Sequence, residues 1–405
     1  LLATSHLAAA DFWWRGDMSN SWSSTQTFIG QIVGTNFSTS SSGAIDAAAL
    51  PGAGDLVRFA TVDAVNLDMI LGSNFTIAGL RTSFSHLSGG VVISGNTLNF
   101  DADSAEIVTT SPETLTLNSI VTTSTASLDI DTVISSSVVN LNSIFGNASG
   151  GAVRGLTKDG SGTLALGGDN TYTGGTTVNA GTLRVGSGGT LGPGSLTLNT
   201  TGSVDSLVIF NNANQSITSL QTGSLGTGEA RVTLNGTALT VNQSAANRTF
   251  GGVIAGTGSL IKSGTGTLSF TGDHTYGGGT TVSGGALRIT STGSLPSGAL
   301  TLRTTGSGDT TVFFNNPSQA LSSLQTASGG TGDIAMVLSF TALTVNQSSN
   351  TTYVGDITGT GSLIKSGAGV LTFTGDVTPI GGTTVTGGTL RIGNGLTTGS
   401  ITGNV

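Results

Sequence analysis

The sequence predicts an all-β fold, a parallel β-solenoid whose short strands stack into a single elongated rod. Two features of the composition support this prediction: 65 of the 405 residues are glycine, and only 6 are proline. Hydrophobic residues make up 36% of the chain and fall in short runs, such as TLAL, TLRV and SLTL, between Gly, Asn, Ser and Thr. Short runs between turn residues are typical of strands, and no long segment shows helical apolar spacing.

An internal repeat is the third observation. The stretch FNNANQSITSLQTGSLGTG at 210–228 returns as FNNPSQALSSLQTASGGTG at 314–332, which is 104 residues later. Self-similarity at a fixed period is the sequence signature of repeat architectures. The period predicts two full units, 154–260 and 261–363, followed by a partial unit at 364–405.

The part of the chain before these units is read as a degenerate version of the same coils. NFTIAGLRTSF at 74–84 is similar to NQSITSLQTGS at 214–224, which predicts solenoid coils over 25–153. Residues 1–24 are expected to be a cap or a strand that contacts another subunit, since they hold all three tryptophans. The first ten residues, LLATSHLAAA, fit either the end of a secretory signal or a mature strand. The residues proposed for this cap or contact are Phe12, Trp13, Trp14 and Trp22.

The strand and turn lengths set the size of one coil. Three short strands and three turns need roughly 20 residues, so each unit would hold about five coils and the chain about 20. With strands ~4.8 Å apart, such a rod would be roughly 100 Å long. Gly and Asn would form the corners, where the backbone turns sharply. The inward ladder is predicted to include Leu164, Val178, Leu183, Leu268, Val282, Leu287, Leu371, Val385 and Leu390.

Composition also excludes several functional classes. The chain has no cysteine, so disulfides and thiolate metal sites are excluded. The net charge is −8, and no basic run is interleaved with aromatic residues, so nucleic acid is not expected as a partner. No apolar stretch is long enough for a transmembrane helix.

The segment LTKDGSGTLALGGDNTYTGGTTVNAGTLRVG at 156–186 resembles the autotransporter-associated β-strand repeat, also called the passenger-associated transport repeat. The resemblance recurs in the next two units, although Val-Thr-Pro-Ile at 377–380 replaces Asn-Thr-Tyr-Thr in the third. It implies a right-handed solenoid that is exposed on, or released from, a Gram-negative-type bacterium. It implies secretion and surface display rather than a chemical reaction.

Three aspartates, Asp169, Asp273 and Asp376, recur in register just before a turn. They are candidates either for Ca²⁺ ligands or for Asx-type turn residues. Calcium takes about six to eight oxygen ligands, whereas each of these aspartates returns only once per unit, which favours the turn.

Basic residues recur with the same period. We expect them to be solvated outward charges, with a basic stripe for an acidic glycan as the alternative. They are Lys158, Lys262 and Lys365, and Arg184, Arg288 and Arg391. The three histidines, His6, His86 and His274, show no serine or carboxylate pattern that would support acid–base chemistry. We therefore expect neither a catalytic site nor a cofactor.

Three functions follow from these expectations. The first is a non-enzymatic extracellular fibre or matrix filament built by head-to-tail self-association, because the partial unit at 364–405 carries no cap signal. The second is an adhesin that presents a lateral Thr-, Asn- and Gly-rich face, or a tip, to glycans or other surfaces. The third is a polysaccharide-degrading enzyme, which would need clustered acids and bases that this chain, with 8% charged residues, does not show.

Overall fold

The computed structural model describes residues 11–14, 25–28, 31–35, 37–38, 51, 55–59, 68–83, 90–101, 105–110, 112–124, 127–147, 154–200, 202–224, 226–244, 246–327, 329–395 and 399–402. These segments form strands and turns, and none is a helix that could cross a membrane. The chain divides into two compact structural units, whose bounds differ from those of the sequence repeats. From here on, "unit" means one of these structural units and "repeat" means one of the sequence repeats. The first unit comprises Leu1–Val208 with Ser224–Gly228, and the second comprises Ile209–Gly223 with Glu229–Val405.

The first unit is built from short strands on three faces. Its strands are β1 (Asp11–Trp14), β2 (Thr25–Phe28), β3 (Gln31–Thr35), β4 (Phe37–Ser38), β5 (Leu56–Phe59), β6 (Asp68–Leu71), β7 (Phe75–Ile77), β8 (Gly79–Thr82), β9 (Val91–Gly95), β10 (Leu98–Phe100), β11 (Glu106–Thr109), β12 (Thr114–Leu117), β13 (Val121–Thr123), β14 (Ser127–Thr132), β15 (Val138–Leu141), β16 (Phe145–Asn147), β17 (Gly155–Asp159), β18 (Thr163–Leu166), β19 (Thr176–Val178), β20 (Gly181–Val185) and β21 (Ser195–Leu198). The boundary between the units falls within β22 (Ser206–Phe210).

The strands of each face pair with the turn before and the turn after. One face runs β1-β5-β8-β11-β14-β17-β19-β21, the next β6-β9-β12-β15-β18-β20 and the third β7-β10-β13-β16. Within these faces the pairing is parallel, as expected for a solenoid. Two antiparallel pairs, β1 with β4 and β2 with β3, lie in the N-terminal segment.

The second unit follows the same plan. Its strands are β23 (Asn214–Ile217), β24 (Ser219–Thr222), β25 (Ala230–Leu234), β26 (Ala238–Asn242), β27 (Arg248–Phe250), β28 (Val253–Gly256), β29 (Ser259–Ser263), β30 (Thr267–Phe270), β31 (Thr280–Val282), β32 (Gly285–Ile289), β33 (Ala299–Leu302), β34 (Thr310–Phe314), β35 (Ser318–Leu321), β36 (Ser323–Thr326), β37 (Ile334–Leu338), β38 (Ala342–Asn346), β39 (Thr351–Tyr353), β40 (Asp356–Gly359), β41 (Ser362–Ser366), β42 (Val370–Phe373), β43 (Asp376–Val377), β44 (Thr383–Val385), β45 (Thr389–Ile392) and β46 (Ser400–Ile401).

We number the faces of the second unit for reference. Face 1 is the eight-stranded sheet β27-β30-β32-β34-β37-β40-β43-β46. Face 2 is β23-β26-β29-β31-β33-β36, which contacts β39 and so continues through β39-β42-β45. Face 3 contains the pair β25-β28 and, further along the chain, the sheet β35-β38-β41-β44. In the turns between these two groups of strands, face 3 holds an isolated bridge, between Asp273 and Ser294.

Alternation along the strands builds the core, because inward side chains of successive turns stack on one another. In the first unit Val91, Leu115, Val139, Leu164 and Leu183 are paired in sequence, and each is at most 1% exposed. The outward positions between them are half-exposed. This pattern confirms the predicted all-β parallel solenoid.

Turn length varies more than the sequence suggested. Thr163 pairs with Thr182, 19 residues later, whereas Ser127 pairs with Gly155, 28 residues later. The spacing averages ~23 residues, so the chain forms about 14 turns rather than the roughly 20 turns that shorter coils would give. The additional residues lie in the corners, where loops of different length join the strands.

Because of this spacing, one sequence repeat is not a whole number of turns. Lys262 lies in β29 on face 2, and four turns later the chain has reached β39 on the same face. It then passes through β40 on face 1 to reach β41, which carries Lys365, on face 3. A repeat of 103 residues therefore covers four turns and two further faces, so equivalent residues are displaced around the solenoid.

Candidate functional site: a lysine corner and the groove above it

The repeated lysines build a common corner. In the second repeat the side chain of Lys262 is fully buried, and its Nζ donates to the carbonyls of Ser263 (2.9 Å), Gly264 (3.0 Å) and Gly284 (2.9 Å). Gly284 belongs to the next turn, so the ammonium ties two successive turns together. An ammonium has three donors, and all of them are used here.

The other two repeats contain the same arrangement. Lys158 donates to the carbonyls of Asp159, Gly160 and Ala180, and Lys365 donates to those of Ser366, Gly367 and Gly387. Both side chains are fully buried. The expectation that the lysines are solvated or form a basic stripe is therefore wrong.

Alternation explains why these lysines are inside. Leu156 and Lys158 are two residues apart in β17, so both point to the core. A buried charge needs compensating hydrogen bonds, and the corner carbonyls supply them. The arginines differ, because Arg184 and Arg391 are exposed and Arg288 is half-exposed, as the sequence predicted.

Burial weakens the hold of these lysines on their protons. It lowers the pKa of Lys262 to about 8. Burial also lowers the pKa of Lys158 to about 8, although the nearby carboxylates of Asp131 and Asp159 act to raise it. Burial also lowers the pKa of Lys365. Because each ammonium donates to three backbone carbonyls, none of the three lysines is available to an external ligand.

An open groove of about 400 Å³ lies along the corner where face 2 passes to face 1, beside the backbone that Lys262 holds. Gly264, Gly284 and Gly285 contribute only backbone to its lining. Gly285 has φ +61°, and its N–H donates to the carbonyl of Asp309 at 2.9 Å. The side chains that line the groove are Thr265, Ala286, Thr305, Asp309, Thr311 and Phe313.

Two contacts fix the larger side chains of this groove. The guanidinium of Arg288 lies 4.5 Å from the centre of the Phe313 ring, a cation–π distance. Oδ1 of Asp309 accepts a hydrogen bond from the backbone N–H of Asp333 at 2.9 Å. The carboxylate of Asp309 therefore keeps one orientation while the residue itself stays exposed.

A second groove, of about 570 Å³, adjoins the first, because Thr304 lines one and Thr305 the other. It runs along the same corner past β36–β37 and β39–β40. Its side-chain lining is Thr304, Thr326, Ala327, Asp333, Ile334, Ala335, Val354 and Asp356, with Gly329, Gly330, Gly332 and Gly355. We refer to the two together as the corner groove.

The first repeat has aliphatic residues at the aligned positions. Ala180 and Val204 stand where the second repeat has Gly284 and Gly308, and Leu207 and Ile209 stand where it has Thr311 and Phe313. The corner backbone is the same, because the N–H of Gly181 donates to the carbonyl of Asp205 at 2.7 Å. At Gly308 a Cβ would have only the Thr305 carbonyl oxygen near it, at 3.8 Å, so the missing side chain leaves space.

In two of the three repeats a buried tyrosine precedes the strand that pairs with the lysine strand, at the end of that strand opposite the lysine corner. Oη of Tyr276 and Oγ1 of Thr280 lie 2.6 Å apart, and both residues are buried. Tyr172 and Thr176 make the same contact in the first repeat, and burial raises the pKa of Tyr172 to about 12. In the third repeat proline replaces the tyrosine, and Oγ1 of Thr383 is buried without a partner among the described residues.

His274 is a core residue. Its side chain is 2% exposed, and its ring centre is 4.1 Å from that of Phe270. Its Nδ1 accepts a hydrogen bond from the N–H of Ile254, and burial lowers its pKa to about 3 although Asp273 opposes the shift. The aligned residue, Asn170, accepts from the N–H of Phe145 and also donates to the carbonyl of Thr190, whereas Nε2 of His274 has no partner among the described residues.

The aspartates proposed as calcium ligands are exposed, and Asp376 is the first residue of β43. Ser294 donates to Asp273, and Ser400 donates to Asp376, so the neighbouring turn supplies a hydroxyl to each carboxylate. Asp169 forms an isolated bridge with Thr190. Among the described residues, no three His, Cys, Asp or Glu side chains are grouped as a metal site requires.

The predicted ladder residues occupy inward strand positions. Seven of them are fully buried: Leu164, Val178, Leu183, Leu268, Val282, Leu287 and Leu371. Val385 is 41% exposed and Leu390 is half-exposed, because their strands β44 and β45 pair with a described strand on one side only. Among the residues proposed for the N-terminal cap, Phe12, Trp13 and Trp14 lie in β1, which pairs in parallel with β5. Trp22 lies outside the described residues.

Sequence reasoning missed both the lysine corner and the groove. Strand alternation placed Lys158 in phase with Leu156, which was a usable signal for the corner. The groove left a weaker signal, namely the loss of side chains at Gly284 and Gly308 relative to the first repeat.

Comparison with known proteins adds to this geometry. The family model described as the passenger-associated-transport-repeat matches residues 156–185, 260–289 and 363–392. Over 175 residues the chain is 40% identical to the adhesin BmaC autotransporter of Brucella suis biovar 1 (strain 1330). That match covers 38% of this chain and 5% of the relative, so the chain spans a small part of the relative's length. No solved structure matches.

Proposed function

From the three passenger-associated transport repeats that this chain carries, we propose that it is a non-enzymatic, adhesive segment of an autotransporter-type passenger. It would be exposed at the surface of a Gram-negative bacterium, or released from it, and would attach to other surfaces. The observation that carries this proposal is the 40% identity to a protein named as an adhesin. The three family matches fall on the lysine corners of the solenoid.

The state of the titratable groups supports a non-enzymatic role. Each repeated lysine uses its three donors on backbone carbonyls. His274 is buried, with a pKa far below neutral, which makes it a poor proton acceptor near pH 7. The polar residues that do face solvent, such as those of the corner groove, are suited to binding.

A bead-adhesion assay tests the proposal. Beads coated with the purified chain are expected to attach to cultured epithelial cells or to bacteria, whereas albumin-coated beads do not. Heating the coated beads past the unfolding transition provides a control for the fold. The adhesive function would be contradicted if the coated beads attach to neither cells nor bacteria better than albumin-coated beads do.

The head-to-tail filament predicted from the sequence is a second candidate. The described strand pairs of the second unit, such as β30 with β32 and β34 with β37, are parallel, and main-chain pairing of this kind does not depend on which chain supplies the next strand. Electron microscopy of the purified chain at rising concentration tests it. Fibres that lengthen with concentration are the expected result, and particles of constant length contradict it.

A further inference from the structure

We propose that the corner groove of the second unit binds a neutral, linear polysaccharide chain. This inference rests on the proposed adhesive function and names the ligand class and the site through which it would act. The groove, the charges that line it and its divergence from the first repeat carry the argument.

The lining has the chemistry of a carbohydrate site. Hydroxyl groups of Thr265 and Thr311 can donate or accept hydrogen bonds, and the Asp309 carboxylate accepts them. The Thr305 hydroxyl donates to the carbonyl of Ser283 and can accept a further hydrogen bond. Phe313, which is half-exposed and lies beneath the Arg288 guanidinium, adds an aromatic ring whose exposed part suits the C–H groups of a sugar. A few convergent polar groups beside an aromatic side chain are the usual composition of a ligand site.

The charges of the groove specify a ligand without acidic groups. The titratable side chains that line it are Asp309, Asp333 and Asp356, and all three are exposed. None of the lining residues is a lysine, arginine or histidine, and the nearby ammonium of Lys262 is fully used by backbone carbonyls. The guanidinium of Arg288 lies over the Phe313 ring beside the groove, so three lining carboxylates face one neighbouring cation. A uronate or sialate polymer would meet like charges, whereas a neutral glycan would not.

The shape of the groove favours a polymer over a small molecule. It follows one corner through five successive turns, from β29–β30 to β39–β40, and each turn rises ~4.8 Å. Polar positions recur along this length, with Asp309 and Asp333 one turn apart and in contact through a backbone N–H. A regular chain of sugars can use such a recurring set of contacts.

The lysine corner makes the groove rigid. Lys262 fixes the carbonyls of Gly264 and Gly284, which belong to two successive turns and line the groove. Arg288 fixes the Phe313 ring. Preorganised groups lose less entropy on binding, so a shallow groove of this kind can hold a flexible ligand.

Divergence between the repeats supports a binding role. The corner backbone and its lysine are retained, while Gly308, Thr311 and Phe313 replace Val204, Leu207 and Ile209. These changes remove a side chain, add a hydroxyl and add an aromatic ring. Each of them opens the surface or makes it better suited to a sugar, and none is needed to close the corner.

Calorimetric titration of the purified chain tests the inference directly. The probes are cello-, manno-, xylo- and galacto-oligosaccharides, with polygalacturonate and hyaluronan as anionic counterparts. Gly308→Val restores the side chain of the first repeat, and Phe313→Ile removes the ring while keeping a good strand former. Ala320→Val, at an exposed position of β35 on face 3, is the matched control.

We expect at least one neutral oligosaccharide to bind the wild-type chain and the Ala320→Val variant equally. Binding by Gly308→Val and by Phe313→Ile should be weaker by about tenfold or more, equivalent to ~1.4 kcal/mol. No binding of any neutral probe, tighter binding of the anionic polymers, or unchanged binding by both groove variants would overturn the inference. Urea midpoints of all variants establish that the fold is retained.

Bead adhesion separates this inference from the proposed function. If Gly308→Val and Phe313→Ile beads attach to cells as wild-type beads do, the chain is adhesive but the groove is not the site. If wild-type beads do not attach although oligosaccharides bind the groove, the adhesive function fails and the glycan site stands.

Discussion

The corner after Lys158 and the corner after Lys262 have the same backbone but different surfaces. Both bury an ammonium under three carbonyls, and in both repeats a tyrosine hydroxyl contacts a threonine at the start of the following strand. Above this shared base the first repeat has Val204, whereas the second has Gly308 and an open groove. The residues that satisfy buried backbone groups have been kept, and the residues that face outward have changed.

The third repeat shows which of these shared features are dispensable. It keeps Lys365 and its three carbonyl partners but has proline in place of the tyrosine. Thr383 is left with a buried hydroxyl that has no partner among the described residues. The lysine is therefore the constant element, and the tyrosine–threonine pair is an addition to it.

The largest expected effect is the loss of the lysine. Replacing Lys262 with Met would leave three corner carbonyls without their donor, and the free energy of unfolding should fall by about 3 kcal/mol. Urea unfolding followed by circular dichroism measures this change. Lys158→Met should behave alike, whereas Arg391→Met, at an exposed position, should change little. A loss for Lys262→Met no larger than that for Arg391→Met would show that the corner is not held by the ammonium.

The histidine of the second repeat should make the fold sensitive to acid. Its pKa is about 3 in the folded chain and 6.5 in the unfolded chain, so the unfolded chain binds more protons between these values. The free energy of unfolding therefore falls as the pH falls through this window, by about 2 kcal/mol between pH 7 and pH 5.

His274→Asn tests this prediction by introducing the amide that the first repeat has at Asn170. Urea midpoints of the variant and the wild type at pH 7 and pH 5 give the comparison. The wild-type chain should lose more stability than the variant over this interval. Equal losses would mean that His274 does not contribute to the pH dependence.

A smaller effect should distinguish the second repeat from the third. Thr280→Val removes the partner of the buried Tyr276 hydroxyl and should cost about 1–2 kcal/mol. Thr383→Val removes a hydroxyl that makes no hydrogen bond with the described residues, so it should be neutral or slightly stabilising. Thermal unfolding of the two variants compares them directly, and a larger loss for Thr383→Val would reverse the interpretation.

The smallest effect, that of Phe340→Gly, concerns the corner between β37 and β38. Phe340 has φ +103° and is 65% exposed, whereas the aligned residue, Gly236, has φ +80°. Phe340→Gly should relieve the left-handed backbone but lose chain entropy, for a net gain of about 0.5 kcal/mol. A Cβ at Gly236 would meet open space, so Gly236→Phe should cost only the left-handed backbone conformation, a loss of about 1–2 kcal/mol in the free energy of unfolding. Urea midpoints measure both changes, and a loss of stability for Phe340→Gly together with no loss for Gly236→Phe would contradict the strain at Phe340.

The architecture could be read from the sequence because it depends on local patterns. Short apolar runs between glycine-rich turns predicted the strands, and alternation within TLAL and TLRV predicted the inward positions of Leu164 and Leu183. The same alternation placed Lys158 inward, but a buried charge is costly without partners. Its partners are the carbonyls of the two residues that follow it and of Ala180, 22 residues away in the next turn, and a strand pattern does not reveal this last contact.

The groove could not be predicted because it depends on the turn lengths. Which residues adjoin along a corner follows from register, and the spacing of paired residues is 19 between β18 and β20 but 28 between β14 and β17. Thr265, Gly284 and Asp309 line one groove because three loops of different length bring them to the same corner. For the same reason Lys262 and Lys365 lie on different faces, although one exact repeat separates them.

The most direct test of the account is bead adhesion by the wild-type chain in the presence of the neutral oligosaccharide that binds it best. The account predicts that wild-type beads attach to cells, that the soluble oligosaccharide releases them, and that Gly308→Val beads attach no better than albumin-coated beads. Attachment of wild-type and Gly308→Val beads that is equal and unaffected by the oligosaccharide would contradict it.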